Sequence, residues 1–307
     1  MQENFNKYLE YLTVEKNVSA YTLRNYRTDL IGFVNYLIEK KVSSFDRVDR
    51  YILRDYMSSL IEKGIVKGSI ARKLSAVRSF YRYLMREGLI QKNPTLNASS
   101  PRLDKRLPEF LTTAEVNKLL RIPDSSTPQG LRDKAFMELL YASGLRVSEL
   151  VKLDIENLDL HSHQIRVWGK GSKERIVLMG LPAIQSIQTY LNLGRPLLKG
   201  KRNTPALFLN PNGGRLSARS FQERLDKLAH QAGIEKHVHP HMLRHTFATH
   251  LLDGGADLRV VQELLGHSNL STTQIYTHVT KSQARKVYMS SHPLAKPQND
   301  ISGSEDE

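Results

Sequence analysis

A chain of 307 residues is long enough for two domains that each bury a core, and its 40% hydrophobic and 25% charged residues are those of an ordinary globular protein. No apolar run reaches the roughly 18 residues of a membrane span, and the opening MQENFNKYLEYL lacks the basic-then-apolar layout of a targeting peptide. Cysteine is absent, which excludes disulfides, thiolate metal sites and cysteine nucleophiles and suits a reducing cytoplasm.

The net charge of +14 is spread along the chain. Residues 1–106 hold 20 basic and 11 acidic side chains and residues 107–299 hold 25 and 16, whereas the last eight contribute −4. Both main segments therefore suit a polyanionic partner. A membrane surface would attract the same charge, but no basic amphipathic anchor is evident.

The first 90 residues read as four helices. Phe5, Tyr8, Leu9 and Leu12 share one face of the first. Leu23, Tyr26, Leu30, Phe33, Val34 and Leu37 mark a longer second helix capped by Ser19. Ile52, Tyr56 and Leu60 mark a third that ends at Gly64, and Ile70, Leu74, Val77, Tyr81 and Leu84 mark a fourth. The other faces of this fourth helix carry Arg72, Lys73, Arg78, Arg82 and Arg86, an almost purely positive excess that points to phosphate contact. NPTLNASSPRLDKRLP then breaks the pattern, with three prolines and no periodicity. The expected organisation is an N-terminal helical domain at 1–92, a linker at 93–108, a second domain at 109–293 and an acidic, disordered tail at 294–307.

The second domain restarts with Thr112 and Glu115 in a capping-box arrangement. Leu131, Ala135, Phe136, Leu139 and Leu140 form an apolar stripe that stops at Gly144. QIRVW and ERIVLM flank GKGSK as a β-hairpin, and ALFLN, PNGG and RLS suggest a second short strand pair. Helices are expected from Ser217 to Ala232, Pro240 to Leu252 and Leu258 to Leu265, with C-terminal caps at Gly233 and Gly254.

Four clusters stand out: Gly144-Leu-Arg146-Val-Ser-Glu149, Gly169-Lys170-Gly171, His241-Met-Leu-Arg244-His245, and Leu265-Gly266-His267 followed by Tyr276. Each has an ordinary reading by itself: an ion-pairing arginine, a good turn, a packing tyrosine. HVHPHMLRH invites a metal, with His241 and His245 four apart, but HExxH and cysteine are missing and Arg244 sits between them. No metal is expected. Together the clusters supply what phosphodiester transfer without metal requires. Guanidinium forks match the non-bridging oxygens of a phosphate whose charge grows in the transition state. A tyrosine hydroxyl, with an ordinary pKa near 10, needs a base or a positive pocket to attack. The departing alkoxide needs a proton, which a lysine among other cations can give.

GLRVSEL, VWGKGSKER and HPHMLRHTFATHLLDGGADLRVVQELLGHSNLSTTQIYTHV closely resemble the tyrosine recombinase (phage-integrase-like) family, over essentially the whole chain, and SQARKVYMSSHPLA is similar to the end of its Xer subgroup. The resemblance implies a mainly α, two-domain fold: an N-terminal all-α core-binding (SAM-like) bundle and a C-terminal mixed α+β catalytic domain with a small antiparallel sheet. It implies Tyr276 as the nucleophile that forms a 3′-phosphotyrosyl link, Arg146 and Arg244 as phosphate ligands, and Lys170 as the proton donor to the leaving oxygen. His241 would be the base for Tyr276, and His267 a phosphate hydrogen-bond donor. Glu149 and His245 are implied supports, and Lys173 and Arg175 on the hairpin join Arg72, Lys73 and Arg78 as candidate DNA contacts. No cofactor is implied, since bond energy is kept in the phosphotyrosine.

The partners implied are duplex DNA with paired half-sites, a tetramer on two DNA sites with or without a paralogous recombinase, and a cell-division DNA translocase. Each protomer would give its C-terminal helix, 281–293, to a neighbour. The role implied is resolution of circular DNA multimers by a cytoplasmic, nucleoid-associated enzyme. A mobile-element integrase would share the chemistry, though nothing ahead of the core-binding helices reads as an arm-site domain. A type IB topoisomerase and a non-cleaving DNA-binding regulator are the other readings.

Overall fold

The computed structural model describes residues 1–99, 109–168, 174–265 and 287–293, which fall into two compact units, Met1–Arg106 and Leu107–Glu307. Among the described residues no helix is long and apolar enough to cross a membrane.

Among its described residues the N-terminal unit is built on the α-helices α1 (Gln2–Val14), α2 (Ala20–Glu39), α3 (Arg50–Glu62) and α4 (Lys67–Arg86). Local chemistry starts the helices. The Ser19 hydroxyl accepts from the Thr22 N–H at 3.2 Å, and Asp49 accepts from the N–H groups of Tyr51 and Ile52. Each satisfies donors that the first helical turn leaves orphaned. The apolar faces meet in an aromatic core in which Tyr8 packs edge-on to Phe80 at 5.1 Å and Phe33 edge-on to Tyr56 at 5.0 Å. The stretch after Asn93 begins as part of this unit: Thr95 is buried, and the Arg78 guanidinium donates to the Ala98 carbonyl.

The second unit contains α5 (Thr113–Arg121), α6 (Pro128–Ser143), α7 (Val147–Leu150), the strands β1 (Leu158–Asp159), β2 (Gln164–Trp168) and β3 (Glu174–Leu178), and then α8 (Leu181–Thr189), α9 (Arg195–Lys199), α10 (Ala218–Gln231), α11 (Pro240–Asp253) and α12 (Leu258–Leu265). Helix α5 begins in a complete capping box: Thr112 Oγ1 accepts from the Glu115 N–H, and Glu115 accepts from the Thr112 N–H. Helix α6 is buried all round rather than along one stripe, the pattern of a helix at the centre of a core. Phe136 stacks on Phe221 at 3.7 Å between ring centroids and packs against Phe208. Its buried Asp133 is held by Arg132 at 2.6 Å and Arg224 at 2.7 Å.

The sheet is antiparallel in the order β1-β2-β3, with Val167 opposite Arg175 and Ile165 opposite Val177. Its alternation buries Ile165, Val167 and Val177 and turns Arg166, Trp168, Glu174 and Ile176 outward. The second strand pair expected from ALFLN and RLS is reduced to an isolated bridge between Leu209 and Arg215. There the Asn210 side chain takes the N–H groups of Asn212 and Gly214, so the turn consumes donors that a longer ladder would need.

Residues 287–291 are helical. Tyr288 is buried in this unit, and His292 packs between the Tyr141 and Phe247 rings at 4.9 and 5.3 Å. Tyr141 and His250 share a 2.7 Å hydrogen bond beside them.

Candidate active site

The site is built where the C-terminal ends of α6 and α12 meet α7, β3 and α11. Helix α6 stops at Gly144, which adopts φ +58°, a left-handed conformation that L side chains rarely take. A Cβ at this position would lie 2.4 Å from the Phe247 ring, so glycine is required by contact as well as by conformation. The chain then reverses and presents Arg146 at the cap of α7. Glu149, three residues on, reaches back to accept the Arg146 N–H at 2.9 Å and Arg146 Nη1 at 3.1 Å.

Glu149 also receives Arg175 from β3. Nη1 donates to Oε1 and Nη2 to Oε2, both at 3.0 Å, a fork-to-fork pair. The Glu149 side chain is 8% exposed, against 39% for Arg146 and 20% for Arg175. Burial pushes the Glu149 carboxyl up. The hydrogen bonds from Arg175 and from the Arg146 backbone, with the two cationic charges, outweigh it and hold the group below the ordinary carboxylate range.

Helix α11 supplies the second arginine. His239 caps it, its Nδ1 accepting the Met242 N–H at 3.2 Å, and Pro240 occupies the first turn, where a missing N–H costs nothing. Arg244 is buried, donating through Nη2 to the Leu265 carbonyl at 2.7 Å and through Nη1 to the Gly144 carbonyl. It thus ties the ends of α6 and α12 to α11. Burial, with repulsion from Arg146 and Arg175 that Glu149 only partly offsets, pulls the Arg244 pKa down to about 10. The group stays cationic at neutral pH, and an anion bound among these arginines would relieve the repulsion.

His241 lies one turn before Arg244 and is exposed. His245 is half-buried and edge-on to Phe110 at 6.5 Å. In the same histidine-rich run, His237 is paired with Asp226 at 2.9 Å. The structure therefore gathers Arg146, Glu149, Arg175 and Arg244, with His241 on the helix that carries Arg244. Lys170, Lys173, His267 and Tyr276 lie outside the described residues; the chain leaves β2 at Trp168, enters β3 at Glu174 and leaves α12 at Leu265 on either side of them.

Among the candidate DNA contacts, Arg72 and Lys73 both pair with Asp29 of α2, which is fully buried. Arg78 holds Ala98 as described. What sequence reasoning missed is that Arg175 belongs to the arginine cluster. The signal was in the strand alternation, which puts Arg175 on the same face as the buried Val177.

Residues 109–283 match the phage integrase family, and residues 5–88 match the phage integrase N-terminal SAM-like domain. The chain is 46% identical over 306 residues to tyrosine recombinase XerC of Pelotomaculum thermopropionicum, with 96% of this chain and 100% of the relative covered. It is 45% identical over 295 residues to tyrosine recombinase XerD of Staphylococcus aureus, again covering 96% and 100%. Among solved structures, a lambda integrase tetramer bound to a Holliday junction matches with a TM-score of 0.70 at 17% identity, over 88% of this chain and 75% of that one. At that identity the likeness is one of fold.

Proposed function

Because the chain belongs to the phage integrase family, as a tyrosine recombinase that cuts and rejoins DNA by transesterification, we propose that Arg146 and Arg244 clamp the scissile phosphate for attack by Tyr276. The observation that carries this reading is the arginine cluster itself: buried Arg244 is held by two backbone carbonyls beside the half-exposed Arg146. Guanidinium groups fixed before the substrate arrives need no reorganisation as phosphate charge grows. For phosphoryl transfer, one well-placed arginine contributes on the order of 10³–10⁵ in rate.

In the proposed step the Tyr276 oxygen bonds to phosphorus, the bond to the 5′ oxygen breaks, and a 3′-phosphotyrosyl link replaces it. His241 takes the tyrosine proton, Lys170 gives a proton to the departing oxygen, and His267 donates a hydrogen bond to the phosphate. Glu149 orients Arg146, and His245 supports α11. One phosphodiester is exchanged for another, so the reaction needs neither nucleotide nor metal. Attack by the 5′-hydroxyl of a second strand reverses the step and completes strand transfer.

The substrate we infer is duplex DNA with paired half-sites, engaged as a tetramer on two sites. The Holliday-junction tetramer of lambda integrase, which shares the fold, supports this. The names of the near-full-length relatives divide between XerC and XerD and support resolution of DNA multimers at segregation over a mobile-element role. Partnership with a paralogous recombinase, activation by a cell-division DNA translocase and a nucleoid-associated, cytoplasmic place belong to the same proposal. The test is a suicide substrate that traps the covalent complex. Tyr276→Phe should bind the DNA and form no covalent product, and persisting product would remove Tyr276 as nucleophile.

A further inference from the structure

Glu149 accepts four hydrogen bonds, two from Arg175 and two from Arg146. The shares differ in kind. Arg175 meets the carboxylate with two guanidinium nitrogens, whereas Arg146 gives its backbone N–H and one guanidinium nitrogen. Glu149 is nearly buried, and a carboxylate in such a place takes whatever cationic fork is within reach. If Arg175 were absent, Arg146 would be the guanidinium already in hydrogen-bond contact with it, since both Nη groups of the nearby Arg244 are held by the Gly144 and Leu265 carbonyls. Arg146 would then be drawn into the bidentate pairing that a phosphate requires of it, and substrate and carboxylate would compete for one guanidinium.

We propose that Arg175 is a positioning residue for DNA cleavage: by occupying both oxygens of Glu149, it keeps the outer edge of Arg146 available to the scissile phosphate. The inference rests on the reading that Arg146 binds that phosphate. It assigns Arg175 a role different from that of a DNA-backbone contact on the hairpin. The strand geometry fits, since Arg175 is opposite Val167 on the inward face of the sheet and is the less exposed of the two arginines on Glu149. It also gives Glu149 a defined function: a carboxylate that orients Arg146 through its backbone and one nitrogen while its own charge is held elsewhere.

The experiment is single-turnover cleavage of a suicide substrate by the full chain, at saturating DNA, with the DNA Kd measured separately. The variants are Arg175→Ala, Arg175→Lys, Glu149→Gln, Arg175→Ala with Glu149→Gln, and Arg146→Ala. Arg175→Ala should lower the cleavage rate about tenfold or more, the size of a direct coupling between neighbouring groups, and change Kd by less than about threefold, since a single lost phosphate contact would act on binding instead. Arg175→Lys should recover part of the rate. The double variant should cleave faster than Arg175→Ala, because the unheld carboxylate that sequesters Arg146 has been neutralised. A merely structural role predicts that the double variant is as slow or slower. That result, or a loss confined to Kd, would overturn the proposal. Arg146→Ala separates the two readings. If it cleaves normally, the phosphate-clamp reading fails; if it is inactive while Arg175→Ala cleaves normally, only the inference about Arg175 fails. Should Arg175→Ala not fold, Arg175→Lys with and without Glu149→Gln carries the same comparison.

Discussion

Replacing Gly144 with alanine tests whether the end of α6 is shaped by contact or by conformation alone, and Gly233 is the internal control. Both glycines are left-handed, with φ of +58° and +67°. An alanine Cβ would meet the Phe247 ring at 2.4 Å at Gly144 but nothing within 4 Å at Gly233. The left-handed conformation costs an L residue about 1–2 kcal/mol at either position. At Gly144 a methyl group forced against a packed ring adds about 1–3 kcal/mol. Gly144→Ala should therefore lose about 2–5 kcal/mol and Gly233→Ala about 1–2 kcal/mol. Urea unfolding followed by Trp168 fluorescence reads this directly, because the chain has one tryptophan and it lies in the second unit. The function should suffer separately. The Gly144 carbonyl accepts from Arg244, so a backbone shift there moves the arginine proposed to hold the phosphate. Displacing a catalytic group by about 1 Å can cost on the order of 10²-fold. Cleavage by still-folded Gly144→Ala should thus fall at least about tenfold below that of Gly233→Ala. Equal destabilisation of the two variants, or full activity in Gly144→Ala, would refute the reasoning.

Arg244→Lys should fold but lose about 10³-fold or more in cleavage on the suicide substrate, because one ammonium cannot hold two carbonyls and still offer a fork to phosphate. Asp29→Ala removes a buried carboxylate shared by Arg72 and Lys73; Arg72, 45% exposed, regains water, but Lys73, 17% exposed, does so far less, so urea unfolding should show a loss of about 3 kcal/mol. Burial raises the Glu138 carboxyl from its ordinary 4.5 to about 7. Its protonated form therefore favours the folded state fully below pH 4.5, and on the order of 3 kcal/mol is lost as pH rises through 7. Burial, with repulsion from His250, drives His292 from 6.5 down to about 3, so its contribution is present above pH 6.5 and lost on acidification. The two trends oppose each other between pH 4.5 and 6.5. Glu138→Gln should remove the opposing slope and leave stability falling steadily on acidification, and a profile matching the parent would count against the buried carboxyl.

Most of the secondary structure was legible because its causes are local. Ser19, Thr112 and Thr127 cap helices through atoms three residues away, and the alternation in QIRVW and ERIVL carries the hairpin and its inward face. The ordered series Arg146, Lys170, His241, Arg244, His267 and Tyr276 is likewise legible as a set of residue types suited to phosphate chemistry, and it lies within the part of the chain that belongs to the phage integrase family. Tertiary structure decided the partners. Arg72 reaches Asp29 across 43 residues, Arg175 reaches Glu149 across 26, and Arg244 reaches the Gly144 carbonyl across 100. Charge patterning shows that α4 carries a positive face, but it does not show the buried Asp29 that Arg72 and Lys73 share beneath it. Periodicity likewise gives α6 one apolar stripe, while packing from α8, α11 and the sheet buries it on every side. Helical and strand periods are properties of neighbouring residues, whereas the choice of an ion-pair partner depends on which distant segments the core brings together and which charges it removes from water.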